Sequence, residues 1–171
     1  CRTPKEALAG TLDAMVGATP EVFARIRPVI ETWAAKIVHM GAVGDGHRMK
    51  LLHNYVSLGT VTLLAEAAAC AQLSGIHAQT FVDVLAMGGG WGAALERLKP
   101  TLVNGDTTGL RFSMSNALKD LSYYNQMATD TQADRTVAQA VKTTLEAACQ
   151  QGDPQALVPE LIAQLVQRPK R

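Results

Sequence analysis

The N-terminal part of the chain contains two short apolar runs separated by an amphipathic segment, a pattern typical of an α/β unit. Residues 11–17 and 36–40 are short enough to be strands. Between them, Thr19 and Pro20 predict a helix start with Thr19 as the N-cap, and apolar positions three and four apart continue the helix to about Ala35. Because one strand–helix–strand unit is too small to form a stable sheet alone, we expect it to be the edge of a larger sheet.

The pattern changes at a loop that contains Gly41, Gly44 and Gly46. The segment 47–74 that follows is apolar on nearly every side, which predicts a long helix buried among other helices. Glycine-containing turns then separate further predicted helices over 78–87, 91–103, 113–130, 134–150 and 155–167. We therefore predict a mainly α fold, with a short strand–helix–strand unit over 1–43 and an all-helical domain over 44–171.

The predicted long helix carries one polar stripe, formed at helical spacing by Lys50, His53, Asn54 and Ser57. A lysine amine among apolar neighbours can donate or accept a proton in catalysis. Alternatively, Lys50 extends to solvent and Asn54 bonds a neighbouring backbone group, which is a purely structural role. The spacing alone leaves both interpretations open.

Three other features give weaker signals. The glycine order GxxGxG differs from the GxGxxG of dinucleotide sites, which favours a domain-joining loop over a phosphate site. Lys119 is expected on a solvated helix face, as most helical lysines are. An arginine beside a hydroxyl, as in Arg2 and Thr3, can bind a carboxylate, phosphate or sulfonate through charge-assisted hydrogen bonds, although most arginines have no such role.

The composition argues against several classes of protein. With 16 Lys and Arg against 15 Asp and Glu, the formal net charge of +1 argues against a dedicated nucleic-acid binder. The three cysteines are far apart, and the four histidines lack closely spaced partners, so we expect neither a disulfide scaffold nor a metal site. The apolar stretch 55–73 is interrupted by Glu66, so we expect no membrane span. The few, widely spaced cysteines favour a reducing compartment, so we expect a cytoplasmic location.

The motifs taken together resemble the β-hydroxyacid dehydrogenases in order and spacing. These motifs are Gly10-Thr-Leu-Asp-Ala-Met-Val-Gly17, Gly41-x-x-Gly-x-Gly46-x-x-x-Lys50-x-x-x-Asn54, Ala65-Glu-Ala67, Gly75-Ile76 and Lys119-Asp-Leu121. The resemblance implies an N-terminal, dinucleotide-binding Rossmann domain, a long connecting helix and an all-helical C-terminal domain of the 6-phosphogluconate-dehydrogenase type. Residues 1–43 would then be a remnant of the Rossmann domain, and residues 44–171 would be the helical domain. It also implies that the chain forms a homodimer or tetramer. From the charge balance and the interrupted apolar stretch we expect neither a nucleic-acid nor a membrane partner.

The same resemblance implies roles for individual residues. Lys50 matches the catalytic lysine that exchanges a proton with the substrate oxygen, and Asn54 matches the asparagine that helps to hold the substrate. Lys119 and Phe112 match positions that contact the cofactor, NAD or NADP. We expect no metal.

The substrate loop differs from the usual family pattern. Where most members have Ser-Gly-Gly, the sequence has Cys1-Arg2-Thr3, which is closest to the Arg-Thr version of the sulfolactaldehyde reductases. This difference favours a small anionic hydroxy acid, carboxylate or sulfonate, with Arg2 and Thr3 binding its acid group.

The sequence, which begins at Cys1, contains no GxGxxG motif. We therefore expect the chain to be the C-terminal portion of an NAD(P)-dependent enzyme and inactive alone, because the cofactor is bound mainly by the other portion. The alternative is a non-catalytic dimerisation or interaction module that retains the motif residues without their function.

Overall fold

The structure is a computed structural model, and it describes residues 7–167. The chain forms two compact units, 1–53 and 54–171, whose boundary lies inside a long helix. The elements are β1 Leu12–Gly17, α1 Pro20–Ile30, β2 Ala34–Gly41, α2 Asp45–Leu73, α3 Ala78–Ala86, α4 Ala93–Asn104, a 3₁₀ turn Thr107–Leu110, α5 Met114–Asp130, α6 Thr136–Gln151, a 3₁₀ turn Val158–Glu160 and α7 Leu161–Gln167. The mainly α fold with a small strand-containing part is confirmed.

The N-terminal unit contains a two-stranded parallel sheet, in which β1 pairs with β2. Thr19 caps α1 as predicted, and its hydroxyl accepts a hydrogen bond from the backbone N–H of Val22. The predicted extension of α1 to Ala35 is wrong, because the helix ends at Ile30 and Ala34 already pairs with Leu12 in the sheet. Strand pairing has overridden the helix propensity of the two alanines at the start of β2.

The glycine loop brings the start of α2 close to the end of β1. Gly41 and Gly44 have left-handed φ angles of +110° and +97°, which glycine adopts without strain. A Cβ atom at Gly46 would collide with the carbonyl oxygen of Met15. The loop therefore serves close packing, as the sequence predicts.

The C-terminal unit is helical and contains the hydrophobic core. Fully buried side chains of the core cluster lie on α2, α4, α5, α6, the second 3₁₀ turn and α7, and they include Val61, Leu98, Met114, Leu121, Leu145, Val158 and Leu161. Two buried polar side chains, Asp120 and Asn125, lie on α5 within this packing.

The prediction that α2 is buried on nearly every side is wrong. Leu58, Val61 and Leu64 are buried, whereas Val56 and Leu63 are 65% and 67% exposed. Apolar composition predicted burial on every face, but the core packs against one side of the helix only. One face of α2 therefore carries exposed apolar side chains.

Among residues 7–167, α2 is the helix that is long and apolar enough, by length and composition alone, to cross a membrane. We expected no span because Glu66 interrupts this stretch. A single charged residue nevertheless leaves the helix long and apolar enough on average to cross a membrane. A core helix of a globular protein can meet the same test, and 44% of the apolar window is buried inside the chain. Length and composition are therefore weak grounds for assigning a span.

Candidate functional site

The geometry of the site is clearest where α2 meets α5 within the C-terminal unit. Asn54 lies on α2, half-buried, and its Nδ2 donates a hydrogen bond of 2.6 Å to Oδ2 of Asp120 on α5. Asp120 is only 2% exposed. The bond links residues that are 66 positions apart in the sequence, so it depends on tertiary packing and not on local helix geometry.

Asp120 also faces the positive charge of its neighbour in the sequence. The Nζ atom of Lys119 lies 3.4 Å from Oδ1 of Asp120, and the Lys119 side chain is 51% exposed. Lys119 therefore lies on a solvated face, as its position in the sequence predicts, and at the same time contacts the buried carboxylate. Leu121, the next residue, is fully buried and helps to set the rotation of α5.

Aromatic stacking fixes the same two helices beside Asn54. The rings of Tyr55 on α2 and Tyr124 on α5 stack with centroids 4.1 Å apart and planes 19° from parallel. Burial raises the pKa of the Tyr55 phenol, and the electrostatic influence of Tyr124 and Asp134 acts in the same direction. This stacked pair next to Asn54 holds the α2–α5 contact in one register.

The start of α5 is fixed by its own cap and by the segment that precedes the second 3₁₀ turn. The hydroxyl of Ser113 accepts from the backbone N–H of Asn116, which caps the helix. The backbone N–H of Met114 donates to the carbonyl of Ala156 over 2.9 Å. These bonds place the first turns of α5, and with them Lys119 and Asp120, relative to the helical core.

Lys50 lies one helical turn before Asn54 on α2. The helix is continuous through both positions, so the spacing of four residues keeps them in line along it. Lys50 is half-buried and belongs to the N-terminal unit, while His53, from the same predicted stripe, is exposed. The bond from Asn54 to a buried carboxylate gives this asparagine a side-chain partner, in addition to any backbone contact.

Of the other predicted site residues, Phe112 is the one that the structure describes. Phe112 is partly buried against the hydrophobic core, and its backbone carbonyl accepts from the N–H of Val158. Arg2 and Thr3 lie outside the described residues. Across residues 7–167 no group of His, Cys, Asp or Glu side chains is placed to hold a metal ion.

Sequence reasoning did not assign a role to Asp120, although a signal was present. Asp120 follows Ala117 by three positions and precedes Leu121, and both of these apolar residues are fully buried. An acidic residue at a core position of an amphipathic helix is rare without a partner. Its position alone therefore suggested a buried pair, whereas the identity of the partner required the structure.

Comparison with known proteins shows that both parts of the chain match profiles of NAD-binding dehydrogenases. Residues 44–165 match the profile described as NAD-binding of NADP-dependent 3-hydroxyisobutyrate dehydrogenase. Residues 2–41 match the NAD binding domain of 6-phosphogluconate dehydrogenase. Together the two matches span nearly the whole chain, in the order that the motifs predict.

Individual relatives agree with these profiles. The 2-(hydroxymethyl)glutarate dehydrogenase of Eubacterium barkeri is 33% identical over 68% of this chain and 39% of its own length. The 3-sulfolactaldehyde reductase of Escherichia coli is 32% identical over 49% of this chain and 28% of its own. A solved structure of Mycobacterium tuberculosis 3-hydroxyisobutyrate dehydrogenase with L-serine has a TM-score of 0.85 and 26% identity, over 96% of this chain and 58% of that one.

The chain therefore spans well under two thirds of the length of these relatives. The profile over 44–165 nevertheless covers more than half of the chain itself. The chain belongs to the β-hydroxyacid dehydrogenase family, whose cofactor is NAD or NADP.

Proposed function

We propose that this chain is the substrate-binding and subunit-contact part of an enzyme that interconverts a small 3-hydroxy acid and its semialdehyde. The observation that carries the proposal is the placement of Asn54, half-buried on α2 and bonded to a buried carboxylate, one turn after Lys50. An amide held in this way can bind a substrate oxygen, and an amine one turn away can exchange a proton with it.

The roles of the residues follow from their chemistry. In the oxidation direction, Lys50 would accept the proton of the substrate hydroxyl as the C–H bond breaks, and in reduction it would return that proton to the substrate oxygen. Asn54 holds the same substrate while the proton moves. A bound nicotinamide would supply the hydride chemistry, accepting the hydride in oxidation and returning it in reduction.

Two residues would contact the cofactor. The Lys119 ammonium is half exposed beside Asp120 and suits a phosphate or ribose oxygen of NAD or NADP. Phe112 offers an aromatic surface that is only partly buried. The donor set of a cation, an aromatic ring and an amide fits a dinucleotide and a small acid.

The substrate is proposed to be an anion. Arg2 and Thr3 would bind its carboxylate or sulfonate, as in the resemblance to the sulfolactaldehyde reductases. The relatives' names point to small hydroxy acids or aldehydes with a carboxylate or sulfonate group, including 3-hydroxyisobutyrate and 3-sulfolactaldehyde.

The catalytic assignment is tested by replacing Lys50 with Met in the full-length enzyme. We expect kcat to fall by about two to four powers of ten, because one general acid–base group is lost, while cofactor affinity changes little. Lys99→Met is the matched control, since Lys99 is exposed on α4 and has no proposed role. Normal turnover in the Lys50→Met enzyme would refute the assignment and favour a non-catalytic module.

The substrate assignment is tested separately with Arg2→Ala. Losing one partner of a charge pair should raise KM for the acid by at least tenfold and leave kcat closer to normal. Comparing a carboxylate with a sulfonate substrate of equal length then identifies the preferred acid group. An unchanged KM for both acids would show that Arg2 does not bind the substrate.

A homo-oligomer is the second part of the proposal, supported by the exposed face of α2. Val56, Leu63 and Cys70 follow one another at seven-residue spacing and are all exposed, so they form one stripe along the helix. Exposed apolar surface of this kind is typical of a contact between subunits.

The stripe makes the oligomer testable. Leu63→Glu should lower the molar mass measured by light scattering at micromolar concentration, because it places a charge within the contact. Val137→Glu on α6 is the control, since Val137 is apolar and 66% exposed but lies outside the stripe. A monomer mass for the unmodified protein would contradict the proposal.

A further inference from the structure

The buried carboxylate of Asp120 contacts two side chains that are proposed to bind ligands. One oxygen accepts from the amide of Asn54 at 2.6 Å, and the other lies 3.4 Å from the ammonium of Lys119. Asp120 itself is 2% exposed, so it is not available to solvent. A charge buried to this extent is retained only where partners compensate for its desolvation.

We propose that Asp120 is a positioning residue, which sets the orientation of the Asn54 amide for substrate binding; this inference rests on the proposed function. A carboxylate can only accept hydrogen bonds, so the NH₂ end of the Asn54 amide must face Asp120. Rotating the amide by 180° would lose a charge-assisted bond and bring two oxygen atoms together. The donor and acceptor that Asn54 offers to a substrate are therefore fixed before the substrate binds.

The contact with Lys119 is the weaker of the two. It is longer, and Lys119 is half exposed, so solvent screens the interaction. Asp120 should therefore affect binding of the acid substrate more than binding of the cofactor. This difference separates a positioning role from general damage to the site.

The test uses Asp120→Ala and Asp120→Asn in the full-length enzyme. We expect Asp120→Ala to raise KM for the acid about ten- to a hundredfold, the range for loss of a hydrogen bond to a charged group. KM for the cofactor and kcat should change by less than about threefold. The KM of Asp120→Asn for the acid should lie between the values of wild type and Asp120→Ala. The new amide oxygen can still accept the hydrogen bond from Asn54, but the new amide no longer excludes the flipped orientation of the Asn54 side chain.

A double-mutant cycle shows whether Asp120 acts through Asn54. If it does, Asp120→Ala should have little further effect on KM in an enzyme that already carries Asn54→Ala. Asp130→Asn is the control, since Asp130 is exposed at the end of the same helix. If Asp120→Ala does not fold, the cycle is run with the similarly sized Asp120→Asn.

A second measurement does not depend on turnover. The side-chain amide protons of Asn54, followed by NMR in this chain, should shift upfield and exchange faster in Asp120→Asn than in wild type.

The outcomes distinguish this inference from the proposed function. A wild-type enzyme without turnover on any small hydroxy acid would refute the proposed function. An active enzyme whose Asp120 variants keep a normal KM, or whose cycle is additive, would overturn the positioning role alone. An unchanged Asn54 amide resonance would do the same.

Discussion

Asn125 on α5 offers a sharp test of the packing around the site. It is 5% exposed, and its amide donates to the carbonyl of Leu121 at 2.9 Å and, between helices, to that of Ala138 at 3.3 Å. Asn125→Asp would replace these donors by a carboxylate that faces two carbonyl oxygens. Deep burial raises a carboxyl pKa by up to about three to five units. The cost at pH 7.5 is limited to about 1.36 kcal/mol for each pH unit above the unfolded-state pKa of about 3.9, so the variant should lose about 4–5 kcal/mol of stability at that pH.

The sign of the pH dependence follows from that raised pKa. The penalty is largest above the folded-state pKa of the new carboxyl and shrinks as pH falls toward its unfolded value, because the protonated acid is neutral and can donate one hydrogen bond. Urea unfolding followed by helical circular dichroism at pH 7.5 and pH 4.5, each relative to wild type, measures both effects.

The control is Asn116→Asp, the same change at an exposed position in the first turn of α5. An acid near a helix N-terminus interacts favourably with the helix dipole, so this variant should be neutral or slightly stabilised. Two results would refute the assignment of Asn125 as a buried amide that donates to two carbonyl groups. One is agreement within about 0.5 kcal/mol between the free energies of unfolding of Asn125→Asp and Asn116→Asp. The other is a loss of stability in Asn125→Asp that stays constant with pH.

Two further predictions concern other parts of the chain. Gly46→Ala should lower the free energy of unfolding by about 1–3 kcal/mol, because the new Cβ atom would collide with the Met15 backbone. Gly59→Ala, in the same helix, has room for a Cβ atom and should raise the free energy of unfolding by about 0.5–1 kcal/mol. Equal urea midpoints for the two variants would contradict this prediction. Burial raises the pKa of the Cys149 thiol, so its alkylation by iodoacetamide, followed by peptide mass spectrometry, should reach half-maximal rate at a higher pH than that of free cysteine.

The order of the helices was predictable because the residues that start and end each helix act locally in the sequence. Gly75 ends α2 with a left-handed φ of +77°, and the capping residues Thr19 and Ser113 lie where the apolar periodicity begins. The end of α1 was not predictable in this way. Ala34 has high helix propensity, and only its pairing with β1 makes it a strand residue.

The site was predictable to the extent that it lies on one helix. The spacing of Lys50 and Asn54 is a property of α2 and can be calculated from the sequence. The contact between Asn54 and Asp120 joins two helices, and no periodicity within either helix reveals it. The roles of these residues came from the resemblance to a family, because spacing alone did not exclude a purely structural role.

The two buried polar residues of α5 show how the site is held in place. Asp120 and Asn125 are separated by about 140° around the helix axis, since each residue advances the helix by about 100°. Asp120 accordingly bonds to Asn54 on α2, and Asn125 bonds to the backbone of α6 through Ala138. Apolar packing alone would allow α5 to rotate or slide by small amounts, because dispersion contacts are not directional. A directional bond on each side removes that freedom, so α5 carries Lys119 and Asp120 in a register set by both neighbouring helices.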